Sequence, residues 1–130
     1  MRVDKQLAVF LENVPGTLAR MCEALAQKGV NVLALTISDT VDHAVVRIVV
    51  DKANEALGIL EDAGMLVVEN DVLVAEVPNR PGALAEIAGK LADSDVNIEY
   101  AYCTAGRDQT EGTLVLRVRD PRKAIDALGG

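Results

Sequence analysis

The chain repeats itself. The stretch "NVPGTLA" at 13–19 returns as "NRPGALA" at 79–85, and "KGVNV" at 28–32 returns as "SDVNI" at 94–98, both 66 residues further on. A repeat of this period means that one supersecondary unit is used twice, so a fold for one half must also serve the other. Between these anchors the apolar positions agree: Leu18, Cys22 and Leu25 correspond to Leu84, Ala88 and Leu91. Their i, i+4, i+7 spacing predicts amphipathic helices over about residues 15–28 and 81–93, each packed through that face.

The flanking segments keep one order in both copies. "QLAVFL" and "DVLVAEV" read as first strands, "VNVLALTIS" and "VNIEYAYCT" as second strands, and "HAVVRIVV" and "GTLVLRVR" as third strands. Arg47 and Arg117 in the third strands stand 70 residues apart, so the second copy carries four more residues in its loop "AGRDQTEG". A second helix follows in each copy, "KANEALGILEDAG" and "PRKAIDALGG", and only the first copy continues into a fourth strand, "MLVVE". The expected fold is α+β: two tandem ferredoxin-like βαββαβ units, residues 1–70 and 71–130, each an antiparallel sheet with helices on one face, the second lacking its last strand. Right-handed crossovers place the strands of a unit in the order 4-1-3-2. Glu69, Asn70 and Asp71 predict a tight polar turn, making a hairpin of residues 65–69 and 72–77. The strand at 65–69 would then lie between the first strands of both copies, shared in a seven-stranded sheet. The alternatives are that the second copy simply lacks an edge strand, or that the chain is cut short there.

Asn-x-Pro-Gly at a strand-to-helix junction is readable as a cap and turn. Pro15 and Pro81 suit a first helical turn, where no N–H partner is needed. Asn13 and Asn79 can bond the following backbone. Gly16 and Gly82 leave backbone N–H groups uncovered by any Cβ, at a helix end that attracts anions such as a carboxylate. Asn31 and Asn97 add a second amide at the head of the next strand, which an apolar strand does not need.

This paired pattern, N-x-P-G-x-L and then G/D-V-N within a βαββαβ unit, resembles the ACT domain, a small regulatory module that binds amino acids. Two units with no attached enzyme resemble the stand-alone tandem ACT-domain proteins, over about residues 5–128. The resemblance implies a non-catalytic module with an amino-acid ligand at interfaces between units, where the first strand–helix loop of one meets the second-strand edge of a neighbour. The positions that match are Asn13, Gly16 and Asn31, with Asn79, Gly82 and Asn97 in the second copy; Val14, Pro15, Arg80 and Pro81 complete the candidate ligand-binding set. Serine-binding members place a His two residues before the first Asn. This chain has Leu11 and Val77 there, so serine is not implied and an apolar ligand side chain is favoured.

Other features have plainer readings. Tyr100 and Tyr102 fit strand packing at period two, or the lining of one pocket. The loop at Arg107 and Asp108 reads as a solvated hairpin end, or as the cover of a site. Cys22 and Cys103 have no C-x-x-C spacing and read as reduced packing residues. His43 with Asp39 and Asp42 reads as a turn rather than a metal site, and neither metal nor cofactor is expected. No nucleophile has an identifiable partner, which argues against an enzyme.

Composition narrows the partners. With 13 basic and 20 acidic residues the formal charge is −7, which repels phosphate backbones and anionic membranes. Only three residues are aromatic, too few for an RNA-binding sheet. A copper-type metal carrier would need C-x-x-C, and an acylphosphatase-type enzyme an Arg loop that "FLENVPG" lacks. No apolar run approaches the ~18 residues of a membrane span, and the charged "MRVDKQ" does not read as a signal peptide. The expectation is a soluble cytoplasmic protein with an amino-acid ligand and a metabolic enzyme as partner. Residues 7–11 are apolar on both parities, which suggests that both sheet faces are covered, as in a homodimer. A ligand-free dimerisation module is therefore the rival reading.

Overall fold

The computed structural model describes residues 1–39 and 43–130. In chain order the elements are β1 (Arg2–Glu12), α1 (Thr17–Gln27), β2 (Val32–Asp39), β3 (His43–Val50), α2 (Ala53–Asp62), β4 (Leu66–Pro78), α3 (Ala83–Asp93), β5 (Ile98–Thr104), β6 (Glu111–Val118) and α4 (Pro121–Ala127). Density of Val, Ile and Leu makes the strands; the helices take the Ala-, Leu- and Glu-rich segments between them. The protein is α+β, with six strands and four helices among the described residues.

The chain forms two units: Lys5–Asn70, and Met1–Asp4 together with Asp71–Gly130. In the unit of Lys5–Asn70 the strand order is β2-β3-β1-β4. Antiparallel pairing sets Leu7 opposite Ile48, Val9 opposite Val46 and Leu11 opposite Ala44. Leu7, Val9, Val46 and Ile48 form its core with Met21 and Leu25 of α1 and Ala56 and Leu60 of α2. In the other unit the order is β1-β4-β6-β5, β1 entering only through residues 1–4. Here Leu73 pairs with Leu116 and Ala75 with Leu114. These side chains pack with Leu91 of α3 and Ala124 of α4.

The repeat reaches fine detail. β2 slips register between Val32 and Ala34, and β5 slips between Ile98 and Tyr100, the same place in each copy. Leu33 and Glu99 are thus equivalent bulge residues.

Three expectations need correction, and a fourth is narrowed. The polar run Glu69, Asn70, Asp71 is not a turn: β4 runs unbroken from Leu66 to Pro78, so residues 65–69 and 72–77 form no hairpin, and there is no seventh strand among the described residues. The run has none of the Gly or positive-φ residues a tight hairpin demands, and Asn70 and Asp71 take hydrogen bonds from residues far away in the sequence. Gln6 Nε2 donates to Asn70 Oδ1 at 3.0 Å, and an Arg117 N–H donates to the Asp71 carbonyl at 2.7 Å. Among the described residues the unit of Asp71–Gly130 has residues 1–4 of β1 beside β4.

The second correction concerns the helix faces. Leu84 is 50% exposed while Leu91 is fully buried, and the stripe of α3 turned inward is Ala83, Ile87 and Leu91. In α1 the equivalent Met21 and Leu25 are buried, and Leu18 and Cys22 pack only partly. Adjacent apolar stripes lie within one broad face, and only the sheet selects between them. The third correction is that Cys103 is exposed; Cys22 alone is a packing cysteine. The fourth concerns the apolar parities of β1. Leu7, Ala8, Val9 and Leu11 are buried within the single chain and Phe10 is 38% exposed, so only Phe10 of this run is open to a second copy.

Candidate ligand-binding site

In both copies the Asn-x-Pro-Gly phrase folds as a β-turn that hands the chain to a helix. The Thr17 N–H reaches the Val14 carbonyl at 3.5 Å, and the Ala83 N–H reaches the Arg80 carbonyl at 3.3 Å. Between these ends stand Pro15-Gly16 and Pro81-Gly82. Gly16 has φ 93° and ψ −14°, and Gly82 has φ 87° and ψ −12°. These are the angles of the third residue of a type II turn, with proline at the second. The prolines therefore precede the helices instead of opening them, a correction to the expected first-turn position. Each glycine is the N-cap residue, and its carbonyl takes the first helical bond, from Arg20 N at 3.0 Å and from Glu86 N at 3.0 Å. A glycine carries no capping side chain, and neither α1 nor α3 has a side-chain cap. The N–H groups of Leu18 and Ala19 consequently have no intrahelical partner.

The two copies differ in what surrounds this turn. In the first, Thr17 Oγ1 donates to the carbonyls of Glu12 at 2.9 Å and Val14 at 3.1 Å, closing the turn from inside. The first turn of α1 has no acidic residue. In the second, Ala83 replaces Thr17 and Glu86 stands in the first turn, held by Arg80 at 3.1 Å. Asn79 is occupied as well. Its Nδ2 donates to the carbonyls of Gly106 at 2.9 Å and Gln109 at 2.8 Å, and its own N–H to Thr110 at 2.9 Å. The longer loop containing Arg107 and Asp108 is thereby tied to the second turn.

Val14, Pro15 and Gly16 line a cavity of about 510 Å³ with Phe10, Leu11, Glu12, Thr17, Arg20, Gly64 and Met65. Asn13 and Asn31 are not among its lining residues. Asn31 is exposed at the head of β2, where its N–H donates to Asp51 Oδ1 at 2.9 Å and its carbonyl accepts from Asp51 N at 3.1 Å. Asn97 lines a second cavity of about 360 Å³, with Asp95, Val96, Glu99, Arg119, Asp120 and Lys123. Asn79, Arg80, Pro81 and Gly82 line neither cavity, nor do Tyr100 and Tyr102, which are half-buried on β5. The motif alone missed Phe10, Glu12, Arg20, Gly64 and Met65. Arg20, four residues after Gly16, was reachable from helical spacing; Gly64 and Met65 were not, since only folding brings them to β1. Among the described residues no cluster of His, Cys, Asp or Glu could hold a metal, and Asp42 lies outside them. No helix among them is long and apolar enough to cross a membrane.

A duplicated α+β unit, in which a type II turn with a left-handed glycine starts the first helix of each copy, defines the class of protein. The family model for the ACT domain pair matches residues 1–128, and the chain belongs to that family. The crystal structure of protein BT0572 from Bacteroides thetaiotaomicron is similar at TM-score 0.91 and 36% identity, over 97% of this chain and 86% of that one. The regulatory subunit of aspartate kinase from Thermus thermophilus, in a ligand-free form, aligns at TM-score 0.75 and 20% identity, over 98% of this chain and 95% of that one. The corresponding subunit from Thermus flavus aligns at TM-score 0.68 and 20% identity, over 98% and 93%. The two aspartate kinase subunits are likenesses of fold. No match emerges among curated protein sequences.

Proposed function

We propose that the chain is a non-catalytic regulatory module that binds a small amino acid at interfaces between ACT units and thereby modulates a partner. In this reading each unit is ferredoxin-like. Asn13, Val14, Pro15, Gly16 and Asn31 serve one site, and Asn79, Arg80, Pro81, Gly82 and Asn97 its counterpart. The observation that carries the reading is the pair of uncapped helix starts behind the glycines at φ 93° and φ 87°, a setting suited to a carboxylate. Family membership supports an amino acid as the source of that carboxylate. The likeness of fold to regulatory subunits of aspartate kinase supports a metabolic enzyme as partner; the formal charge of −7 disfavours nucleic acid and anionic membranes, and a cytoplasmic location is part of the same proposal. Ligand acts by binding one arrangement of module and partner better than another.

A second reading, ligand-free assembly as a homodimer, draws on Leu33 and Ile37, 44% and 45% exposed on β2, the terminal strand in the order of its unit. A thermal-shift screen of the twenty amino acids separates the two. A ligand present at a hundred times its Kd adds about 2.7 kcal/mol to stability. A shift with at least one amino acid supports the regulatory reading. No shift with any of them, together with a stable dimer by light scattering, overturns it in favour of assembly.

A further inference from the structure

The second Asn-x-Pro-Gly turn is already engaged by its own chain. An amide side chain has two N–H hydrogens to give, and Asn79 gives both. Its Nδ2 reaches the Gly106 carbonyl at 2.9 Å and the Gln109 carbonyl at 2.8 Å. Those two residues also close on each other, the Gln109 N–H donating to the Gly106 carbonyl at 3.1 Å. One side chain therefore holds both ends of a tight turn in the loop between β5 and β6, with Arg107 and Asp108 exposed at its tip. Arg80 is engaged too. Its Nη1 donates to the Pro81 carbonyl at 3.3 Å, and its Nη2 lies 3.1 Å from each Glu86 carboxylate oxygen. A Cβ built on Gly82 would stand 3.8 Å from Arg80 Nη1, so the guanidinium lies against the glycine.

The first turn differs on each count. Among the described residues the Asn13 side chain makes no hydrogen bond. Val14 stands where the second copy has Arg80. A Cβ built on Gly16 meets nothing within 4 Å. The same phrase is open in one copy and bound up in the other.

A carboxylate arriving at the second turn meets donors that are mostly in use. The N–H groups of Leu84 and Ala85 have no intrahelical partner, but the Asn79 amide and Arg80 are committed. The carboxylate is the stronger competitor, because a charge-assisted hydrogen bond is about twice as strong as one to a neutral carbonyl. It gains Asn79 Nδ2 only by taking it from Gly106 and Gln109. The loop then keeps backbone bonds alone, the Asn79 N–H to the Thr110 carbonyl at 2.9 Å and the Gln109 N–H to Gly106.

We infer that Asn79 is a latch: a carboxylate ligand at the second turn draws its amide away and releases the loop of residues 105–110. This deepens the proposed function and rests on it for the ligand. The loop is the element with two states, and ligand biases it by binding the released state better. Its tip, Arg107 and Asp108, is the surface that changes for a partner. Giving up two bonds within the chain weakens the second turn for ligand about tenfold relative to the first.

The test is hydrogen-exchange mass spectrometry of the full chain, alone and with each of the twenty L-amino acids. An amino acid that slows exchange over residues 80–86 should speed it about fivefold over residues 105–110, and should slow residues 13–19 at a lower concentration. In Asn79→Ala the loop should exchange fast without ligand and gain nothing on its addition. Circular dichroism confirms that this variant folds, and the wild-type measurement tests the inference without it. Slowed exchange over 80–86 with unchanged or slower exchange over 105–110 overturns the latch and leaves amino-acid binding standing. So does slowing of 13–19 alone at saturation, or ligand-driven acceleration of the loop that persists in Asn79→Ala. No response to any amino acid overturns the proposed function together with it.

Discussion

Replacing Gly16 by alanine isolates one physical term. Gly16 has φ 93°, and a Cβ built there meets nothing within 4 Å. The methyl group therefore costs nothing by collision, and the whole effect is conformational. Placing an L-residue in left-handed backbone costs about 1–2 kcal/mol. Loss of glycine's freedom in the unfolded chain offsets part of this, by roughly 0.4–1 kcal/mol. The expected net destabilisation is about 1 kcal/mol, or roughly 4 °C in Tm for a domain of this size. Gly82, at φ 87° with only an ordinary contact to Arg80, is the matched twin, and Gly82→Ala should cost the same within ~0.5 kcal/mol. Gly16→Asn should cost less than Gly16→Ala, because asparagine tolerates the left-handed region. Urea titration gives each value from a shifted midpoint at constant slope. Gly16→Ala as stable as wild type would refute the type II geometry. A loss above about 3 kcal/mol would show that space, not φ, selects glycine.

Three further outcomes are expected. Leu91→Ala, at a fully buried position, should cost about 2–5 kcal/mol, whereas Leu84→Ala, half exposed on the same helix, should stay within about 0.5 kcal/mol; equal losses in urea titration would contradict the inward stripe of α3. Gln6→Met leaves Asn70 Oδ1 short of the donor it has at 3.0 Å, and should cost about 1–3 kcal/mol by the same assay; no change would mean that this amide pair does not pin β1 to β4. Asn79→Ala removes the bonds to Gly106 and Gln109 and should cost about 0.5–1.5 kcal/mol, with faster amide hydrogen exchange across residues 105–110 that leaves α1 unaffected.

How much of this was legible without coordinates differs by residue. The strands, the four helices and the equivalence of Asn13 with Asn79 follow from periodicity and a constant offset. The proline-glycine turn was legible as a turn, but its class was not, because one residue decides whether proline precedes or opens the helix. The reading of residues 69–71 failed in the opposite direction. Three consecutive polar residues look like a turn until Gln6 and Arg117 arrive from distant sequence to satisfy them. The cavity was half legible. Val14, Pro15 and Gly16 belong to the repeated phrase, while Glu12 and Arg20 flank it and differ between copies, so a search for what repeats passes over them.

The sequence by itself determined the duplicated α+β unit, the presence of a turn at each Asn-x-Pro-Gly phrase, and the charge that disfavours nucleic acid. These are local consequences of side-chain period, backbone sterics and composition. Only the tertiary structure decided that residues 66–78 form a single strand, that residues 1–4 group with residues 71–130, and that Gly64 and Met65 share a cavity with Arg20. Each of those depends on partners far apart in the chain. A residue's pattern states what it requires of its surroundings, and the fold alone states which distant residues supply it.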